Sequence, residues 1–298
     1  MIAARPTRPA NRARTRPGRV VLHAFLIAMV ALWLFPLLWA VYTALRPISD
    51  TVTHGYYSIA STLDLSNFTT VWTAAQMPQY YWNTLVIVVP GVILTLLISS
   101  MVAFALTQFS WRFNLIVLML FTAGNLLPPQ VIIIPLYWLY LNIPVPIEWL
   151  SDNGLLYDQY IGIILIHVVF QTGFATFVLS NYMRTISREI TESALVDGAH
   201  VLRIWWSVIL PLCRPALAAM GTLLFTFMYN DFFWALILMK TGDKRPITSA
   251  LNNLQGAFFT NYNLVAAGAL LAAIPPILVY IALQKHFVRG LTLGATKG

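Results

Sequence analysis

Few side chains in this 298-residue sequence are of a type that could do chemistry, and they fall into two short stretches and a few isolated positions. The first, the one long polar interruption that also keeps a helical pattern of its own, is Glu192-Ser193-Ala194-Leu195-Val196-Asp197-Gly198-Ala199, running on through Ile209-Leu210-Pro211 to Pro215. The second is Asn230-Asp231, set inside an apolar run. A carboxylate in such a run costs about 2.5–3.5 kcal/mol on insertion scales, so it faces protein or a cavity. It could line a path or gate, or it could be hydrogen-bonding glue between helices. Asn125 and Gln171 are neutral polar residues in other apolar runs, able to donate and accept hydrogen bonds and so to line the same path. No nucleophile–base set, carboxylate pair or metal cluster is visible, and Cys213 is the single cysteine, read as a buried, inert thiol. No phosphate loop is present either: Gly290 to Lys297 has the wrong spacing. The chain therefore reads as a non-enzyme that carries no cofactor of its own.

The first stretch has helical periodicity. Ser187 to Val196 reads as a short helix with Ser187 as its cap, Glu189 in its first turn and Gly198 at a left-handed stop. After it, Val201, Ile204, Trp205, Val208, Ile209 and Leu212 form one apolar stripe, with Arg203 and Ser207 off it. Two short helices joined at a glycine between apolar runs suggest a coupling element. An amphipathic hairpin that covers the membrane surface has the same pattern. Glu192 and Asp197 could face a partner's basic groups or pair with Arg188 or Arg203 in the loop itself.

The elements that must position these residues are membrane spans. The chain is 59% hydrophobic and only 9% charged, where a soluble domain carries about 25% charged residues. Apolar runs at 20–45, 83–109, 113–127, 160–183, 215–238 and 264–287 reach or approach the 20 or so residues that cross a bilayer. Prolines at 128, 129 and 135 make 128–141 a re-entrant or interfacial piece. The formal charge of +8 might suggest nucleic acid, but six of the eighteen basic residues crowd residues 5–19, directly before the first run. That placement expects a basic, disordered cytoplasmic tail at 1–19. With both termini cytoplasmic, fourteen Lys and Arg fall inside and four outside: Arg46, Lys240, Lys244 and Arg245. The expected layout is an all-α integral membrane protein with six spans. It comprises a first helix (20–45), an extracytoplasmic loop (46–82), a core of five helices (83–287) and a cytoplasmic tail (288–298). The loop at 184–214 lies between the fourth and fifth helices. Trp33, Trp39, Tyr137, Trp138 and Tyr140 read as an interfacial belt.

Glu192 with two small residues, then Asp197-Gly198-Ala199 and Ile209-Leu210-Pro211, resembles the EAA signature of ABC-importer permeases, with Ser193 in place of an alanine. Three further segments extend the resemblance to carbohydrate importers of the maltose-transporter type: Pro128-Pro129-Gln130 with Ile134-Pro135-Leu136-Tyr137; Tyr229-Asn230-Asp231-Phe232-Phe233-Trp234, where the family usually has Trp at the first position; and Phe287 to Thr292 with Gly294-Ala295 and Lys297-Gly298, like the tail of the second permease. The loop 142–159 looks longer than the family norm. The resemblance implies a prokaryotic plasma-membrane permease subunit paired with a second permease. Two ATPase subunits holding ATP and magnesium and an extracytoplasmic solute-binding protein complete the assembly. Glu192, Ser193, Ala194, Asp197, Gly198, Ala199 and Pro211 would then couple to the ATPase. Arg289, Gly290 and Lys297 would reach it from the tail, where a basic tail could otherwise lie on anionic lipid. The cargo would be a sugar or oligosaccharide. The same architecture could carry a glycerol-phosphate ester or a polyol, and a secondary transporter or channel without ATPase is the alternative from another class.

Overall fold

The computed structural model describes residues 17–124, 128–254 and 260–292. Asn125, Lys297 and most of the basic tail at 1–19 thus lie outside the described residues. Among the described residues there is no strand, only an isolated bridge between Pro144 and Leu155.

Helix α1 (Pro17–Leu45) is apolar all round, contains Pro36, and is exposed along nearly its whole length. A helix of that kind is stable only with lipid around it. Two short helices, α2 (Ile48–His54) and α3 (Ser66–Thr73), fill the following segment. Helix α4 (Met77–Gln108) starts earlier than the apolar run does, with Pro78 in its first turn, where a missing N–H costs nothing. Helix α5 (Asn114–Gly124) is followed, beyond residues 125–127, by a 3-10 turn (Pro129–Ile132) and α6 (Ile133–Asn142). Helix α7 (Tyr160–Met183) makes its broadest contact with α4. Both helices bury small residues, Thr95, Ser99, Ser100 and Ala103 on α4 and Ala175, Thr176 and Ser180 on α7. Small side chains let two helices approach where lipid offers no hydrophobic drive. Thr107 and Ser100 satisfy their hydroxyls on carbonyls of their own helix, Ala103 and Leu97.

The chain then forms α8 (Arg188–Val196), α9 (Val201–Ile204), a π turn (Trp205–Ile209) and α10 (Leu210–Leu212). An 81° bend leads into α11 (Arg214–Tyr229). The expected fifth helix over 215–238 is not continuous. It stops at Tyr229 and resumes as α12 (Phe233–Leu238), because the Asp231 carboxylate accepts the N–H groups of Trp234 and Ala235, both at 3.3 Å, and so starts a new helix. A short turn, α13 (Ile247–Ala250), precedes α14 (Tyr262–Thr292), which carries Pro275 and Pro276 and packs on α11 and α1. Among the described residues four helices are long and apolar enough to cross a membrane, or up to six if each bent pair counts as one span.

Two polar knots tie down segments that flank the long helices. In the first, Arg46, only 1% exposed, sends Nε to Asp50 Oδ2 (2.5 Å) and Nη1 to the Gly55 carbonyl (2.9 Å). The carbonyls that close α1 are met by Asn67 Nδ2, which donates to Ala44 and Arg46, and by Asn263 Nδ2, which donates to Thr43 and Arg46. In the second, Asp158, at φ +63°, takes the N–H groups of Lys240 and Thr241, and Lys244 Nζ donates to Asp152 at 2.5 Å. Tyr140 does not join an interfacial belt. It is 4% exposed, and its hydroxyl donates to the Gly162 carbonyl at 2.9 Å, since a buried phenol needs an acceptor.

Candidate functional site

Ser187 caps α8 by accepting the Glu189 N–H at 3.3 Å. At the other end the Gly198 N–H donates to Leu195 O and the Ala199 N–H to Ala194 O, both at 3.0 Å, with Gly198 at φ +78°. This is the paired 6→1 and 5→2 closure of a Schellman stop, and the positive φ is what a glycine adopts without strain. Glu192, Ser193, Asp197 and Gly198 are exposed, while Ala194 and Ala199 pack inward against the core. Among the described residues neither Glu192 nor Asp197 takes part in an ion pair, so the pairing with Arg188 or Arg203 is not formed. The element presents two free carboxylates on an outer face with a fixed backbone beneath them.

The following helix buries Ile204, Trp205 and Ile209, whereas Val201 and Leu212 at the ends of the expected stripe are exposed. The π turn shifts the register by one residue: the Leu210 N–H reaches Trp205 O, and Pro211 has no N–H to give. Cys213 is fully buried at the bend.

Three polar residues that the sequence reading did not single out bear on the two stretches. Thr191, 2% exposed, donates from Oγ1 to Gln108 Oε1 at 2.8 Å, and Gln108 Nε2 donates to the Met183 carbonyl at 3.3 Å. One glutamine thus joins the end of α4, the end of α7 and the middle of α8. Their signal was faint, a Thr on the inner face of a short helix and a Gln as the last residue of a span. The third is His167, on α7. Its Nε2 lies 3.6 Å from Asp231 Oδ2, and both side chains are largely buried. A histidine inside a span is rare and usually faces protein or a cavity, and that signal was available in the sequence.

Around that pair, Asn230 is exposed and its Nδ2 donates to Thr226 O at 2.8 Å, closing α11. The Asp231 carbonyl accepts from Thr248 Oγ1, and the Tyr229 hydroxyl donates to Ala272 O on α14 at 2.9 Å. Gln171 is half-buried on α7, one turn beyond His167 and on the same face of the helix. A groove lined by Leu120, Phe121, Gly124, Val169, Phe170 and Gly173 runs between α5 and α7, on a different face of α7 from His167 and Gln171. The structure therefore brings Asp231 and His167 together near Gln171 and holds them apart from the Glu192–Ala199 element. Arg289 and Gly290 lie on the last turns of α14.

The family model described as "Binding-protein-dependent transport system inner membrane component" matches residues 95–293. The "Arabinooligosaccharides transport system permease protein AraQ" of Halalkalibacterium halodurans is 30% identical over 278 residues, covering 91% of this chain and 93% of its own. The "Alpha-glucoside transport system permease protein AglG" of Rhizobium meliloti is 34% identical over 235 residues, 78% of this chain and 60% of its own. Among solved structures, a bacterial ABC transporter involved in the import of the acidic polysaccharide alginate matches with a TM-score of 0.76 at 24% identity, covering 94% of this chain and 100% of that one. A bacterial alginate ABC transporter in complex with an alginate pentasaccharide-bound periplasmic protein matches at 0.62 and 18%, covering 93% and 95%.

Proposed function

The chain belongs to the family of binding-protein-dependent transport system inner membrane components, and we propose that it is the permease subunit through which an ATP-driven importer passes a sugar or oligosaccharide. Family membership places it in the membrane as a transport component that works with separate partner proteins. The cargo class rests on the relatives, whose names specify arabinooligosaccharides and alpha-glucosides.

The observation that carries the coupling role is the exposed pair Glu192 and Asp197, in no ion pair among the described residues and fixed on a helix closed by Gly198. In this reading Glu192, Ser193, Ala194, Asp197, Gly198 and Ala199 enter a groove on an ATPase subunit, and Pro211 fixes the return into the membrane. Two ATPase subunits hold ATP and magnesium, a second permease completes the pathway, and an extracytoplasmic binding protein delivers the cargo. Arg289, Gly290 and Lys297 extend the ATPase contact. Nucleotide-driven closure moves α8 as a rigid element, and the spans alternate between inward- and outward-facing states.

Six spans with both termini in the cytoplasm of a prokaryotic cell fit the charge pattern. The basic residues assigned outside are an exception to the positive-inside bias, and two of them are neutralised: Arg46 by Asp50 and Lys244 by Asp152. Asn230, Asp231, Asn125 and Gln171 are the residues proposed for the path or gate.

One observation favours a second reading. His167 with Asp231 is a titratable pair inside the spans, which an ion- or proton-coupled carrier would need. The two readings separate in proteoliposomes that contain the chain with its partner proteins. An importer takes up labelled arabino-oligosaccharide only with ATP inside and binding protein outside. A carrier takes it up with a proton gradient and neither of these.

A further inference from the structure

Covalent continuity joins α8 to α7 on one side and, through α9, the π turn and α10, to α11 on the other. It does not join α8 to α4, a helix of 32 residues whose contact with α7 is the broadest among the described elements. The direct polar link between α8 and α4 is the bond from Thr191 Oγ1 to Gln108 Oε1, at 2.8 Å with both side chains buried. Gln108 is the last residue of α4, and its Nε2 is spent on the Met183 carbonyl at the end of α7. Both ends of the amide are therefore committed, and neither can exchange its partner for water in place.

The opposite end of α4 is committed as well. Asn83, about 38 Å of helix away, donates from Nδ2 to the carbonyls of Asp243 and Arg245, at 2.6 and 3.0 Å, and accepts the Tyr160 hydroxyl at 2.8 Å. Thr84 Oγ1 accepts the Ile247 N–H at 2.9 Å. Buried side-chain bonds thus hold both ends of α4, with Pro90 the interior position that has no N–H to give to the helix ladder.

We propose that Gln108 and Thr191 are positioning residues that clamp α4 to α8, so that displacement of α8 by the ATPase is passed along α4 to the loop at 240–247. This rests on the permease reading above. The clamp explains why α8 buries a threonine between two exposed acids' turns: Glu189 and Glu192 face outward while Thr191 faces α4. It assigns the span that α8 does not reach through the chain to the same moving unit as those it does.

The test uses the full transporter, with its ATPase subunits, in lipid nanodiscs. Spin labels are placed at Ile98 on α4 and Ile277 on α14, both exposed, and the probe is ATP with vanadate. Trapping should shift the 98–277 distance in the parent. Thr191→Val, which removes the hydroxyl and keeps the branched shape, and Gln108→Leu should each at least halve that shift. Thr191→Ser should restore it. A full shift in Thr191→Val and Gln108→Leu overturns the clamp, and so does a parent distance that does not respond. Vanadate-sensitive hydrolysis is measured on the same samples. Its absence from the parent complex contradicts the permease reading, whereas hydrolysis with an unresponsive α4 contradicts the clamp alone.

Discussion

Asp231 lies 3.6 Å from His167 across the gap between α7 and the break in the fifth membrane segment. The same carboxylate starts α12 by accepting the N–H groups of Trp234 and Ala235. One side chain thus breaks a helix, begins the next and faces a buried imidazole.

Those roles can be separated by substitution. Asp231→Asn keeps a capping oxygen and removes the charge, whereas Asp231→Ala removes both, and loss of a cap costs about 0.5–2 kcal/mol. Thermal unfolding in detergent should therefore fall in the order parent, Asn, Ala. His167→Leu should partly offset Asp231→Ala, since His167 Nε2, already without a hydrogen-bond partner among the described residues, also loses its nearest carboxylate in that variant. Equal melting of the Asn and Ala variants would show that the cap contributes nothing.

Gly198 sits at φ +78° with open space where a Cβ would go. The cost of Gly198→Ala is therefore backbone strain alone, about 1–2 kcal/mol, and it falls on the α8–α9 turn. Membrane insertion and global melting should change little, while co-purification of the ATPase subunit drops. A variant that retains the full amount of ATPase would remove the need for this turn.

Gly162 presents the opposite case. A Cβ there would lie 2.5 Å from the Leu156 carbonyl and 3.0 Å from the Tyr140 ring. Gly162→Ala must push the 142–159 loop off α7, at about 1–3 kcal/mol. The expected readout is a lower melting temperature and faster proteolysis within residues 142–159.

The Ser61 hydroxyl and, after it, the Arg46 guanidinium hold the Asp50 carboxyl well below its ordinary value of 3.8. A depressed folded-state value means that the stabilisation is present above the unfolded pKa and is lost as pH falls towards the folded one. The melting difference between the parent and Asp50→Asn should stay constant from pH 8 to 5 and narrow below about pH 4. A gap that widens on acidification would contradict the sign.

The parts of the fold that follow from local chemistry were readable in the residues. Ser187, Glu189 and Gly198 mark both ends of α8 because capping and a left-handed stop are decided by the residue types themselves. The long apolar helices were readable for the same reason. The break at Asn230–Phe232 was not, since an aspartate in an apolar run can either cap a new helix or pair across a continuous one, and only the backbone decides. Tyr140 looked like a belt residue because nothing local reveals that Gly162, 22 positions on, offers it a carbonyl. Gln108–Thr191 was out of reach for that reason too: its partners are 83 residues apart.

The central claim is that the Glu192–Ala199 element is where energy from another chain enters this one. The most direct measurement is ATP hydrolysis by the assembled transporter, with and without loaded binding protein, when Glu192→Lys and Gly198→Val are combined. The account predicts that ATPase subunits are lost from the purified complex and that stimulated hydrolysis falls on the order of tenfold, with the permease still inserted in the membrane. Parent-level assembly and stimulation in that double variant would contradict it.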